Sequence, residues 1–139
     1  MRRAEASDPW LWCLAVFAAA NLANAVWMLL DPAGWFTGLP AAVPDTGPYN
    51  SHFVRDLGGA FAVMGGALCW AALRPAARLP VLASVAAFYL LHALIHATDT
   101  FAGRLPRSHW TIDLPGVYLP TAVLLGLAWM ALRRRESWT

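Results

Sequence analysis

Four apolar stretches, about Pro9 to Leu30, Leu57 to Leu73, Leu79 to Thr98 and Leu114 to Leu132, take up more than half of this 139-residue chain, and almost every charge lies outside them. A helix rises about 1.5 Å per residue, so stretches of this length match the roughly 30 Å of hydrocarbon in a bilayer. At 59% hydrophobic residues and a mean hydropathy of +0.49, the chain is too apolar for an ordinary soluble domain, and its length allows one domain. The expected fold is all-α, a four-transmembrane-helix antiparallel bundle in which residues 1–139 form a single integral membrane domain. Its helices are predicted at about 9–30, 52–73, 79–99 and 112–132. The second stretch is short alone, so its helix begins before Leu57 and takes in Asp56 and His52.

Arginine sets the orientation, because the chain has no lysine. Arg2 and Arg3, Arg74 and Arg78, and Arg133 to Arg135 occupy the N-terminus, the second connection and the C-terminus. The positive-inside rule makes these cytoplasmic. The first connection, Asp31 to Ser51, has no basic residue and the third only Arg104 and Arg107, so both face outward. The expected location is the inner (plasma) membrane, multi-pass, with cytoplasmic N- and C-termini. Arg2 and Arg3 before an apolar run, with Ala23-Asn24-Ala25 beyond it, also resemble a secretory signal. The run continues through Val26 to Leu30, however, which favours a retained helix. A net charge of +2 reflects this anchoring and gives no reason to expect nucleic acid. The partners implied are the lipid bilayer and a homo-oligomer or larger membrane complex. Cys13 and Cys69 sit near cytoplasmic helix ends without a C-x-x-C, and read as small buried hydrophobes.

Local signals mark the ends of the helices. Asp8 with Pro9 opens the first and Asp31-Pro32 stops it; Asn50 or Ser51 caps the second and Arg74-Pro75 ends it. The connection carrying Trp35 and Phe36 is expected on the membrane surface, as a lid over whatever lies beneath. Trp10, Trp12, Trp70, Trp129 and Trp138 read as an inner aromatic belt, and Trp27, Trp35 and Trp110 as an outer one. Gly58, Ala62 and Gly66, and Ala15, Ala19 and Ala23, suggest seams of close helix approach. Pro115 and Pro120 deprive the carbonyls of Thr111 and Gly116 of helical partners, predicting a kink.

All four histidines fall near the outer helix ends, each in step with an aspartate: His52 with Asp56, His92 and His96 with Asp99, His109 with Asp113. Spacings of three or four stack side chains on one helix face. Counting about 1.5 Å per residue puts Asp56 roughly 13 Å, His96 about 11 Å, Asp99 about 16 Å and Asp113 about 15 Å from the bilayer centre. Ionisable groups at such depth cost free energy unless paired, hydrated or coordinating, and one divalent metal offsets several of these costs together. Mixed His and Asp ligands suit zinc first, with iron or manganese as alternatives. The expected ligands are His92, His96, Asp56 and Asp113, with His52 and His109 as further ligands or supports. Asp99 is the candidate general base, and Asn21 and Asn24 are candidate wall residues.

Three other readings remain open on these residues. Arg55, Arg104 and Arg107 can neutralise the carboxylates in a structural ion-pair network. The Asp and His side chains can form a metal-free proton relay. His92 or His96 paired with His52 can bind haem as a bis-His protein.

The segment Pro48-Tyr49-Asn50-Ser51-His52-Phe53-Val54-Arg55-Asp56-Leu57-Gly58, followed by His92-Ala93-Leu94-Ile95-His96, resembles small uncharacterised bacterial four-helix integral membrane proteins. The resemblance implies the four-helix fold and carries no activity with it. The function expected from the residues is a metal-dependent hydrolase or oxidase acting on a membrane-accessible substrate, or else a non-enzymatic membrane subunit.

Overall fold

A computed structural model describes residues 9–136, with side chains through Arg134. Arg2, Arg3, the Asp8 cap, Trp138 and the side chain of Arg135 lie outside the described residues. Helix α1 runs Pro9–Leu30 and stops where expected, because Asp31 becomes the cap of a short second helix, α2 (Pro32–Gly38), accepting from the Gly34 N–H at 2.9 Å. A 3₁₀ turn at Val43–Thr46 precedes α3 (Ser51–Leu73), whose cap is Asn50, accepting from the N–H groups of His52 and Phe53. Pro75–Ala77 makes a second 3₁₀ turn, and α4 follows at Arg78–Phe101. A turn through Gly103 leads to the four-residue α5 (His109–Ile112). The kink expected from Pro115 and Pro120 takes the form of a π turn at Leu114–Tyr118, which splits the predicted fourth helix and hands over to α6 (Leu119–Glu136).

The described residues are all-helical, without strands. Four segments are long and apolar enough to cross a membrane: Pro9–Leu30, Ser51–Leu73, Pro75–Phe101 and Leu114–Arg134. Their outward faces are apolar as well as their inward ones: Phe101 is 88% exposed, Leu30 80% and Val63 73%.

The helices associate as two pairs, α1 along α3 and α4 along α6. On α1 the buried line is Trp10, Leu14, Ala18, Asn21, Ala25 and Met28, a period near 3.6 residues that keeps one face toward a neighbouring helix. Gly58 and Gly65 of α3 lie against it. A Cβ on Gly58 would come 2.9 Å from the Met28 Cβ, and one on Gly65 would come 3.2 Å from the Ala18 carbonyl oxygen. The expected seams are corrected accordingly: Gly66 faces open space, Ala19 and Ala23 are exposed, and the close approach follows Ala18, Ala25, Gly58 and Gly65. A strict interval of four drifts around the helix, whereas alternating steps of three and four do not.

Large side chains fill the space between the two pairs. Leu14, Leu68, Leu82 and Leu124 are fully buried there, and Phe61 meets Phe88 and Tyr89 edge-on. Asn21 accepts from the Tyr89 hydroxyl at 3.1 Å and donates to the Phe17 carbonyl, so it ties the pairs together and takes no part in the site. Trp10 sits beneath the guanidinium groups of Arg78 and Arg134, at 5.7 and 5.3 Å, which gathers the start of α1, the start of α4 and the end of α6. Trp10 and Trp35 are buried rather than belt residues, Trp35 because its indole N–H donates to Asn24 Oδ1 at 2.7 Å. Cys13 and Cys69 are free thiols, half-buried and exposed respectively.

Candidate metal centre

The polar site forms where the chain leaves α4 and doubles back. The Asp99 carbonyl accepts from the N–H groups of Arg104 and Leu105, and the Asp99 carboxylate holds Arg104, with Nε at 2.7 Å and Nη2 at 2.6 Å from Oδ1. Gly103 makes the reversal at φ 73°, where a side chain would strain the backbone. Leu105 is buried beneath the turn, and α5 returns against the last turns of α4.

His109 opens α5 and Asp113 follows it by four residues, so their side chains share a face. His109 Nδ1 lies 3.2 Å from each carboxylate oxygen of Asp113. From α4, His96 Nδ1 reaches Asp113 Oδ2 at 2.8 Å. On its far side, His109 Nε2 lies 3.2 Å from Asp45 Oδ2, in the turn Val43–Thr46. His109 is 0% exposed and Asp113 1%, while the His96 side chain keeps 16%. The backbone contributes as well. The Asp113 carbonyl accepts from both Val117 and Tyr118, giving the wide π turn of a kind frequent at functional sites.

One ligand atom each from His96, His109 and Asp113 lies within 4.8 Å of the other two. A tetrahedral ion with bonds of about 2.0–2.1 Å sets its ligand atoms roughly 3.3 Å apart. The observed 2.8 and 3.2 Å separations are hydrogen-bond lengths only slightly shorter than that. The same atoms therefore suit either a proton held between them or an ion. Among the described residues Asp113 has two imidazoles for partners and no arginine, unlike the ion-pair network the sequence also allows.

The expected site residues divide. His96, His109 and Asp113 come together. His92, one turn earlier on α4, stacks on Phe88 and sets its ring centroid 4.5 Å from that of His96, beside the group rather than in it. His52 and Asp56 pair with each other at 3.3 Å on the exposed start of α3, with 87% and 66% of their side chains open. Asp99 is engaged by Arg104. Asn24 accepts from Trp35 and donates toward the Met28 sulfur.

Two residues escaped the sequence reading. Asp45 belongs to the connection expected as a lid, but as an isolated acid beside Pro44 it shows no periodicity. Tyr118 stacks on Trp110 at 6.2 Å, and its hydroxyl is buried without a hydrogen-bond partner among the described residues. No family model, curated protein or solved structure matches this chain, so what can be said of the centre comes from its own residues.

Proposed function

We propose that the chain is a multi-pass inner-membrane protein of four antiparallel helices with cytoplasmic termini, and that His96, His109 and Asp113 bind one divalent metal near its outer end. The observation that carries this reading is the convergence of two imidazoles and a carboxylate, from two helical elements, at ligand spacing in a largely buried place. Burying such groups costs free energy that coordination offsets. Zinc fits the donor set best, with iron or manganese next. The antiparallel course is supported by Trp10, Arg78 and Arg134 meeting at one end while Asp45, His96 and His109 meet at the other. The apolar outward faces favour lipid as their surroundings.

Three protein ligands leave a coordination position for water or substrate, the usual arrangement of a catalytic zinc, which lowers the pKa of bound water to about 7. A metal-dependent hydrolase or oxidase is the activity this suits. At the turn after α4 an open groove, lined by Ala97, Thr98, Phe101, Arg104 and Trp110, has apolar walls with the Asp99-paired Arg104 at its edge. It favours an amphiphile as substrate. Haem draws less support, because His52 is paired with Asp56 and His96 with Asp113.

A second reading has its own observation. Asp45, His109, Asp113 and His96 form an unbroken line of contacts between 2.8 and 3.2 Å, along which a proton can pass in a metal-free subunit. Elemental analysis of protein purified without a histidine tag decides between them. Near-stoichiometric zinc, iron or manganese that is lost in both His96→Ala and Asp113→Ala supports the metal centre. Metal-free protein whose stability drops in both variants removes the metal and leaves the hydrogen-bonded His and Asp line as a structural or proton-carrying network.

A further inference from the structure

We propose that residues 39–50 form a strap over the metal centre, and that Asp45 is the positioning residue that holds His109 with Nδ1 turned toward the ion. The inference rests on the metal reading of His96, His109 and Asp113 and adds a fourth participant from the other half of the chain. Its starting point is His109, wholly buried, with each ring nitrogen facing a carboxylate oxygen at 3.2 Å. A neutral imidazole carries one hydrogen. If Asp45 accepts that hydrogen from Nε2, Nδ1 is left with its lone pair, on the side where Asp113 and His96 supply the other ligand atoms. Ligating histidines are commonly held in this way, with a carboxylate on the nitrogen opposite the metal fixing both tautomer and ring orientation.

The strap is shaped for the task. Ala42 has φ 48°, a left-handed conformation that a residue with a Cβ seldom takes, and the Asp45 N–H donates to the Ala42 carbonyl at 3.0 Å. The Thr46 hydroxyl donates to the Val43 carbonyl at 2.8 Å, closing the same turn. Phe36 and Tyr49, on either side of the turn, meet with ring centroids 5.3 Å apart and draw its two ends together. Asp45 projects from this turn with 42% of its side chain open, while the ring it touches is closed to solvent. Asp45 therefore stands between outer water and His109. Linkage makes the effect mutual: an aspartate that favours the metal-binding tautomer raises metal affinity, and bound metal holds the strap down.

Competition titrations with zinc and cobalt(II) on the full chain, comparing wild type with Asp45→Ala and Asp45→Asn, test the proposal. Asp45→Ala is expected to weaken binding about 10- to 100-fold with one ion still bound, and to shift the cobalt absorption bands. Asp45→Asn keeps an oxygen able to accept from Nε2–H, so it recovers most of the affinity and the wild-type bands. It also guards against a folding failure in the alanine variant. Amide exchange across residues 42–47 should slow when metal is added to wild type and not when added to Asp45→Ala. Wild type that binds metal, beside an Asp45→Ala variant of equal affinity and unchanged spectrum, overturns the proposal and leaves the metal centre standing. Wild type that takes up no metal overturns both.

Discussion

A carboxylate held by two imidazoles has a different chemistry from one held by an arginine. Asp99 and Arg104 make the second kind of pair at the rim, and it secures a turn. Asp113 makes the first kind, and it can exchange a proton for an ion. Replacing Asp113 by alanine takes the carboxylate partner from His96 Nδ1 and His109 Nδ1 in a largely buried place. That is expected to cost about 1–3 kcal/mol in a detergent unfolding titration. His52→Ala, at a pair open to solvent, should stay within about 0.5 kcal/mol and leave metal content unchanged. Equal losses in the two variants would refute this ranking of the two sites. The sequence made His96, His109 and Asp113 legible through their spacing and their height along the helices. Height says nothing of the direction a side chain faces, and this is why Asp56 and Asp113 looked equivalent although one is exposed and the other enclosed. Asp45 was illegible for another reason: a lone acid in a Pro- and Gly-rich connection has no period by which to place it.

Among the elements, the helices declared themselves through length, caps and prolines, and the ends of α1 and α3 fall within a residue of expectation. Packing register was harder to read, since Gly58, Gly59, Gly65 and Gly66 offer several small-residue lines and only the partner helix selects one. Two neighbouring glycines test that selection. Gly58→Ala forces a methyl against the Met28 Cβ, which cannot swing away, and should destabilise by about 1–3 kcal/mol. Gly59→Ala enters open space and should be neutral or stabilise by up to about 1 kcal/mol, since alanine is the better helix former. Thermal unfolding of the two variants side by side gives the answer. The π turn at Leu114–Tyr118 was only half legible. Proline announces a break in a helix but does not say what form it takes, here a widened turn in which the Asp113 carbonyl receives two N–H groups.

For the whole molecule, orientation is the claim with the widest reach. In a background without Cys13 and Cys69, Thr46→Cys should react with an impermeant maleimide added to intact cells, and Ala76→Cys only after lysis. The reverse pattern would invert the topology and place the centre on the cytoplasmic side. The two helix pairs also divide the labour by chain order. His96 and Asp113 are 17 residues apart, so the three clustered side chains of the candidate centre belong to one contiguous stretch of the second half. Asp45 is 64 residues from His109 and arrives with the first. Assembly of the His96, His109 and Asp113 cluster is therefore a local matter of α5 folding back on α4, whereas the Asp45 contact needs the two halves to meet. The same division sorts substitutions by where they fall: one in the first half reaches the buried cluster through Asp45, while His96, His109 and Asp113 keep their mutual contacts.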